Sequence, residues 1–162
     1  MTIENNDLLV VERAGSLYKG PVSDIKAPDQ VGFISRGSST SISPSSWTTI
    51  VFDTIDLDTD NAFDGTRFVA PSAGIYEINA VLVFTEVQDG KKFIIGSSVN
   101  DDIANVYVIN RGIAGGTGWA GGGGAYRVQL NSGDDVRIHA FVGNSTPLAD
   151  RTNYNTFSIF KR

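Results

Sequence analysis

The regular alternation of side chains between positions 75 and 84 constrains the fold of this chain more than any other feature. One row is entirely apolar and consists of Tyr76, Ile78, Ala80, Leu82 and Phe84. The other row mixes polar and aliphatic side chains and consists of Ile75, Glu77, Asn79, Val81 and Val83. Successive side chains of a β-strand point to opposite faces of its sheet. The alternation therefore predicts a long strand whose apolar row fills a sandwich interior, and whose mixed row contacts another subunit rather than water or a dry core.

Composition and spacing extend this prediction to the whole chain. With 162 residues, 18 of them glycine and 9 phenylalanine, the chain has room for one β-sandwich and an additional arm. Turn signals separate about eight apolar runs of strand length, which is typical of a sandwich or jelly roll. Besides 75–84, the predicted strands cover residues 31–36, 47–55, 68–70, 92–99, 106–109, 126–130, 135–142 and 157–160. The predicted fold class is an all-β jelly-roll sandwich, and the head domain spans residues 31–162.

Residues 1–30 form a separate segment with apolar side chains on both sides of a turn. Ala14-Gly15-Ser16 supplies the turn, and the apolar residues are Leu8, Leu9, Val10, Val11, Leu17 and Tyr18. Two strands alone cannot bury such side chains, so the predicted hairpin needs a partner surface. It is either an edge hairpin on the same domain or an arm that docks on a neighbouring subunit.

A glycine-rich run precedes the strand predicted at 126–130. Seven of the ten residues from Gly115 to Gly124 are glycine. A flexible loop is the simplest prediction, because glycine adds backbone freedom and offers no side chain for packing. The alternative is a strand that other backbones approach closely. We expect Trp119, within this run, to be a packing anchor; an exposed Trp119 would instead contact a sugar or a protein partner.

Charge and hydropathy exclude several classes of protein. The net charge is −5 and the basic residues are scattered, so we expect no nucleic-acid partner, which would need a basic patch. The chain contains no run of 18 apolar residues, so we expect no membrane span. The first residues, MTIENND, are polar and acidic, which predicts no signal peptide. The absence of cysteine fits assembly in a reducing compartment.

Carboxylates follow one another at alternate positions in the turn region after residue 55. Asp56, Asp58 and Asp60 have the spacing that opens a calcium-binding loop. Asn61 stands where that loop needs glycine, and Arg67 stands where its closing glutamate belongs. We therefore expect a solvated turn, with an irregular surface ion site as the alternative.

The chain contains one histidine, His139, and no nucleophile motif accompanies it. Alternation with Ile138 and Ala140 predicts that His139 points away from the core, towards the surface or an interface. We predict no catalytic residue, no metal ligand, no cofactor and no enzymatic activity.

The chain from about residue 31 onwards resembles the globular-head domain of complement component one, subcomponent q, which shares its jelly roll with tumour necrosis factor. In that family a strand phenylalanine is followed by an Asx residue, an aromatic residue, a second phenylalanine and then Gly-x-Tyr-x with an aromatic or aliphatic residue. The matching residues in this chain are Phe52, Asp58, Phe63, Phe68, Gly74, Tyr76 and Ile78. The spacing from Phe63 to Phe68 is two residues shorter than the usual form, and Ile78 replaces the usual phenylalanine. The family's Leu-x-x-Gly-Asp hairpin and last core strand are matched by Leu130, Gly133, Asp134 and Phe157.

This resemblance implies a compact homotrimer, with sheet faces packed around a three-fold axis and both ends of the head domain close together. The row from Ile75 to Val83, which alternation alone assigns to a subunit contact, then belongs to the trimer interface. Ala125, in the run of small residues before Leu130, is assigned to the same interface.

The opening segment DLLVVERAGSLYKGPVSDI resembles short N-terminal segments of small structural proteins of tailed bacteriophages. This second resemblance implies a virion protein, assembled in the host cytoplasm, whose arm binds the major capsid protein or another virion protein. We therefore predict a trimeric decoration or cement protein of a phage capsid, attached through its arm. The alternative is a tail-fibre tip or a receptor-binding head that contacts host glycan or protein.

Overall fold

The computed structural model describes residues 41–149 and 154–162, together with the backbones of three strands nearer the N-terminus. Those three are β1 (Leu8–Arg13), β2 (Ser16–Pro21) and β3 (Gln30–Ser35). β1 and β2 pair antiparallel as a two-stranded sheet, with Val11 opposite Tyr18. The hairpin predicted for this segment is therefore present in the backbone. Its side chains lie outside the described residues.

The later strands follow one another with short connections. A single 3-10 turn, Ile103–Asn105, precedes β10 within the described residues. In chain order the strands are β4 (Ser41–Ile42), β5 (Trp47–Thr49), β6 (Thr54–Leu57), β7 (Phe68–Val69), β8 (Gly74–Val87), β9 (Lys92–Val99), β10 (Tyr107–Ile113), β11 (Gly118–Leu130), β12 (Asp135–Val142), β13 (Thr146–Pro147) and β14 (Thr156–Lys161).

Two five-stranded antiparallel sheets make up the sandwich. The β8 sheet has the order β11-β8-β14-β3-β6, and the β12 sheet has the order β10-β9-β12-β5, with β7 also paired to β12. β4 and β13 pair separately. Apart from β9 and β10, which follow one another in the chain, the paired neighbours in each sheet come from distant parts of the chain, as in a jelly roll. The predicted fold class is confirmed.

The apolar row of β8 lies at the centre of the core. Tyr76, Ile78, Ala80, Leu82 and Phe84 are all fully buried or nearly so. They pack against the inward residues of the β12 sheet, including Ile95, Ile138 and Ala140.

No helix among the described residues is long and apolar enough to cross a membrane.

The region predicted as one strand at 47–55 is two strands in different sheets. β5 pairs with β12, whereas β6 pairs with β3 in the opposite sheet. Between them the chain crosses the sandwich edge, where the Phe52 amide donates to the Gly65 carbonyl at 2.7 Å. Phe52 is buried at this crossing, and the prediction of a single strand over residues 47–55 is wrong.

Both ends of the head domain meet at one end of the β8 sheet. Gln30, where β3 begins, is opposite Phe160, which in turn is opposite Glu77. The Arg162 amide donates to the Ile75 carbonyl at 2.9 Å. We call this end, near Gly74, the entry end, and the end near Val87 the far end. The proximity implied by the family resemblance is therefore observed.

Candidate subunit-binding face

The side of the β8 sheet that points away from the core carries the row predicted to contact another subunit. We call it the outer face and define it by Ile75, Glu77, Asn79, Val81 and Val83 of β8 with the β11 residues opposite them, namely Gln129, Arg127, Ala125, Gly123 and Gly121. Ile75 is 49% exposed and Val81 is 39% exposed. Apolar side chains left this open on a regular sheet are typical of a surface that another protein covers. The assignment to a trimer interface stays a prediction, because the structure contains one copy.

Charged side chains occupy the entry end of the outer face. The Glu77 carboxylate accepts hydrogen bonds from Arg162 Nη2 at 2.6 Å and from Arg127 Nε at 3.1 Å. These bonds, first from Arg162 and then from Arg127, lower the pKa of Glu77 below its ordinary value. The charge of Glu77 is therefore neutralised within one copy and needs no cation from a partner.

The middle of the outer face is flat. Asn79 is opposite Ala125 on one side and Ser158 on the other. Val81, the next outward residue, is opposite Gly123. Because its neighbours have short side chains or none, the Asn79 amide stands above a level floor that a second backbone can approach closely.

An aromatic pair occupies the far end. Trp119 precedes Ala120, which packs against the core, so Trp119 leaves the strand on the outer side. Its ring meets the ring of Tyr154 edge-on, with centroids 5.6 Å apart, and its side chain is 59% exposed. The expectation that Trp119 is a packing anchor is wrong, because its side chain is exposed; contact with a sugar or a protein partner stays a prediction. If residues 118–130 are treated as one strand, the alternation of its side chains predicts that Trp119 points outward.

The glycine-rich run is mostly strand. β11 begins at Gly118 and pairs with β8 over its whole length, so the flexible-loop prediction is wrong from that residue onwards. A Cβ atom on Gly124 would lie 2.9 Å from the Ile109 carbonyl oxygen of β10. Asn110 Nδ2, also on β10, donates to the Gly123 carbonyl at 3.2 Å. The alternative prediction, a strand with close backbone approach, is therefore confirmed.

A second exposed apolar surface lies on the edge strand β10. Tyr107, Val108 and Ile113 are 49%, 54% and 72% exposed. Tyr107 stacks on Tyr126, with ring centroids 5.1 Å apart. Burial, partly offset by the Ser97 hydroxyl, raises the pKa of Tyr126 to about 12, so Tyr126 stays neutral. The sequence predicted a strand here but no binding role, because only the assembled sheet shows that β10 is an edge.

The family-motif residues divide into a core group and a turn group. Phe52, Phe63 and Phe157 form an aromatic cluster with ring centroids 5.6 to 6.4 Å apart. All members of the core group are buried: Phe52, Phe63, Phe68, Tyr76, Ile78, Leu130 and Phe157. They hold the sandwich together and do not reach the outer face.

The turn group consists of the remaining motif residues. The Asp58 carboxylate accepts hydrogen bonds from the amides of Ala62 and Phe63, both at 2.9 Å. Gly133 has φ +91°, which favours glycine, and Asp134 Oδ2 accepts from the Asn131 amide at 2.7 Å. Gly74 lies against Lys161, whose Cε would be 2.5 Å from a Cβ at this position. These residues shape backbone turns at the entry end.

The carboxylates after residue 55 do not converge on a point. Asp64 is paired with Arg67 Nε at 2.9 Å and accepts hydrogen bonds from Thr66. Burial opposes the effect, but these hydrogen bonds lower the pKa of Asp64 well below its ordinary value. Among the described residues, no three His, Cys, Asp or Glu side chains are grouped as a metal site requires.

His139 is buried, contrary to the prediction of a surface or interface position. Its side chain is fully inaccessible, with Nε2 2.7 Å from Ser98 Oγ and Nδ1 3.2 Å from Thr49 Oγ1. Trp47 packs edge-on against the imidazole. Alternation correctly predicts that His139 lies on the side of the β12 sheet that points away from the core. The Trp47 side chain that covers His139 comes from β5, so the sequence of β12 does not predict this burial.

The residues of the predicted attachment arm can be placed only by register. Leu8, Leu9, Val10 and Val11 lie on β1, and Leu17 and Tyr18 lie on β2. Their side chains are outside the described residues, so docking of the arm stays a prediction.

Comparison with known proteins finds no family model and no curated protein sequence that matches the chain. Solved structures do match. The globular domain of zebrafish complement 1qA protein gives a TM-score of 0.60 at 16% identity, covering 82% of this chain and 96% of that one. Murine APRIL at pH 5.0 gives 0.60 at 14% identity, covering 83% and 99%.

Eiger TNF from S. frugiperda is a further match, with a TM-score of 0.59 at 9% identity, covering 83% of this chain and 93% of that one. At these identities the likeness shows the fold alone, and it lends no support to a viral origin. The head of this chain has the jelly-roll fold of tumour necrosis factor-like proteins and complement globular heads.

Proposed function

We propose that the chain is a non-enzymatic structural protein that forms a homotrimer and attaches to a larger particle through its N-terminal hairpin. The observation that carries the trimer is the presence of two different exposed apolar surfaces on one copy. These are the outer face, with Ile75 and Val81, and the β10 edge, with Val108 and Ile113. A contact between two different surfaces repeats from copy to copy and closes into a ring if the rotation allows it. The matched fold supports three copies.

A structural role also agrees with the buried state of the chain's Ser–His pair. Ser98 and His139 are hydrogen-bonded, but both side chains are fully inaccessible. A nucleophile and its base must reach a substrate. This pair therefore supports packing and not hydrolysis.

In the finer form of the proposal the particle is a phage capsid and the protein is a decoration or cement protein. Its support is the resemblance of the opening segment to phage structural proteins and the hairpin that this segment forms. Because β3 enters the sheet next to the C-terminal strand, three hairpins would leave the trimer from one end. Three linked attachments bind more strongly than one, since the second and third are intramolecular.

The aromatic pair favours a second candidate, a receptor-binding head. β8 runs from the entry end to the far end, and Gly118 lies opposite Val87. Trp119 is therefore about 30 Å from the end where the hairpin joins, at a rise of roughly 3.3 Å per residue. An attached trimer would point Trp119 and Tyr154 away from the particle, where they could meet a host glycan or protein.

Light scattering tests the trimer, with an expected mass of three chains. Deleting residues 1–21 tests the attachment, because the deletion removes β1 and β2 and leaves β3 complete. The shortened protein should remain a trimer and no longer bind particles that lack the protein. Retained binding would show that the hairpin is not the attachment segment.

The Trp119→Ala variant separates the two candidate functions, since it should affect host binding only in a receptor-binding head.

A further inference from the structure

One polar side chain stands where the charged entry end of the outer face meets its apolar part. Asn79 lies between Glu77 and Val81 in the outward row of β8, and its cross-strand neighbours are Ala125 and Ser158. Within the ranges that the structure describes, the Asn79 amide has no hydrogen-bond partner, whereas Glu77 is fully paired. An amide covered by a partner without new hydrogen bonds would cost about 1–3 kcal/mol.

The chemistry of the amide restricts which partner can cover it. A carboxamide carries two N–H donors and one carbonyl acceptor, so an identical amide satisfies it on both sides. The carboxylate of neighbouring Glu77 is paired with Arg127 and Arg162, so no unpaired acid lies beside Asn79. On the β11 side, the short side chain of Ala125 leaves room for that copy to approach, whereas Ser158 on the β14 side is already buried within one copy.

We propose that Asn79 fixes the number and register of subunits, by meeting the Asn79 side chains of the other two copies at the three-fold axis. Each amide donates to the carbonyl oxygen of the next, and the ring closes only when three copies are in register. Val81 supplies apolar contact on the far side of this ring, and the paired Glu77 borders it on the entry side. A single polar residue in an apolar interface is known to select one assembly at some cost in stability. The inference depends on the proposed trimer.

Cysteine cross-linking tests whether the Asn79 positions meet. The chain has no cysteine, so Asn79→Cys introduces one thiol per copy, and a disulfide forms only if two Cα atoms come within about 7 Å. Gln129→Cys is the matched control, on the same face but opposite Ile75. Under mild oxidation Asn79→Cys should give a covalent pair, with one chain in three left single because one disulfide joins two of three copies. Gln129→Cys should stay largely single.

The outcomes separate this inference from the trimer itself. A wild-type mass of one chain would overturn both. A wild-type mass of three chains with no cross-link at position 79, or with equal cross-linking at 79 and 129, would overturn only the role of Asn79.

Two further substitutions test the selecting role without relying on thiols. Asn79→Asp would bring three carboxylates together, so this variant should dissociate at pH 7 and reassemble below about pH 4, where carboxylates protonate. Asn79→Leu should still associate but should distribute over more than one size, whereas Ile75→Leu should remain a single species. A uniform trimer in Asn79→Leu, or an Asn79→Asp trimer that is stable at pH 7, would contradict the proposal.

Discussion

The imidazole of His139 lies in a fully buried site, between hydroxyls of Ser98 and Thr49 and against the ring of Trp47. Burial lowers the pKa of His139 below its ordinary value of 6.5; Asp101 opposes this effect and Arg137 reinforces it. The unfolded chain therefore takes up a proton near pH 6.5 that the folded chain does not. Stability should be fully present above this pH and should decline as the pH falls below it.

This dependence is measurable between pH 7.5 and 5.5, where carboxylates of ordinary pKa stay ionised. The urea concentration at half-unfolding should be lower at pH 5.5 for the wild type. In His139→Gln, which keeps a polar side chain but cannot titrate, the two values should agree more closely. An equal decline in both proteins would show that another group is responsible.

The Asp58 carboxylate provides a second test at the residue scale. It accepts hydrogen bonds from the backbone amides of Ala62 and Phe63, two residues that are themselves buried. Asp58→Ala leaves both donors without this acceptor, and the free energy of unfolding should fall by about 1–3 kcal/mol. Asp56→Ala, at a nearby exposed carboxylate, should change it by less than about 0.5 kcal/mol. Chemical denaturation compares the two, and similar losses would contradict the assigned role.

Individual side chains were predictable where a local pattern decides their position. The buried row of β8 is predictable from alternation alone, because the residues of a single strand determine which side chains point to the same side of the sheet. His139 and Trp119 were misplaced because their surroundings come from elsewhere: Trp47 of β5 covers the first, and no element covers most of the second. Exposure of an outward side chain is a property of the whole fold.

At the scale of elements, β11 depends on glycine where it passes β10. Gly124→Ala would place a Cβ 2.9 Å from the Ile109 carbonyl oxygen, a backbone atom that cannot move aside cheaply. We expect a loss of about 1–3 kcal/mol in the free energy of unfolding. Gly116→Ala is the control, since a Cβ there meets no atom within 4 Å. A neutral Gly124→Ala would mean that β10 and β11 separate easily.

Strand bounds were predictable to different degrees for physical reasons. The bounds predicted for β9 and β12, 92–99 and 135–142, agree with the structure because each strand ends at a marked turn. The split of 47–55 into β5 and β6 was not predictable, since an alternating run does not reveal that its two halves join different sheets. The strand predicted at 126–130 is shorter than β11, because the glycine content of residues 118–124 does not reveal that this stretch pairs with β8.

At the scale of the molecule, the outer face and the β10 edge are two different apolar surfaces that can pack against each other. The face is flat and partly apolar, and the edge strand presents Tyr107, Val108 and Ile113. The sequence predicted the face from β8, but it could not predict the edge, because edge position follows from the strand order β10-β9-β12-β5. Together the two surfaces allow each copy to bind one neighbour with its face and the other with its edge.

This arrangement predicts that a charge on either surface disrupts the same assembly. Val81→Asp on the face and Val108→Asp on the edge should each raise the concentration at half-dissociation by at least about 100-fold, since an unpaired buried charge costs several kcal/mol. Val51→Asp, at a position whose 49% exposure lies between those of Val81 and Val108 but which is in the connection between β5 and β6, should leave the proposed trimer intact. Sedimentation over a range of concentrations measures all three. If Val81→Asp dissociates while Val108→Asp does not, the copies meet face to face and the edge has no part in the contact. The ring of two different surfaces would then have to be abandoned.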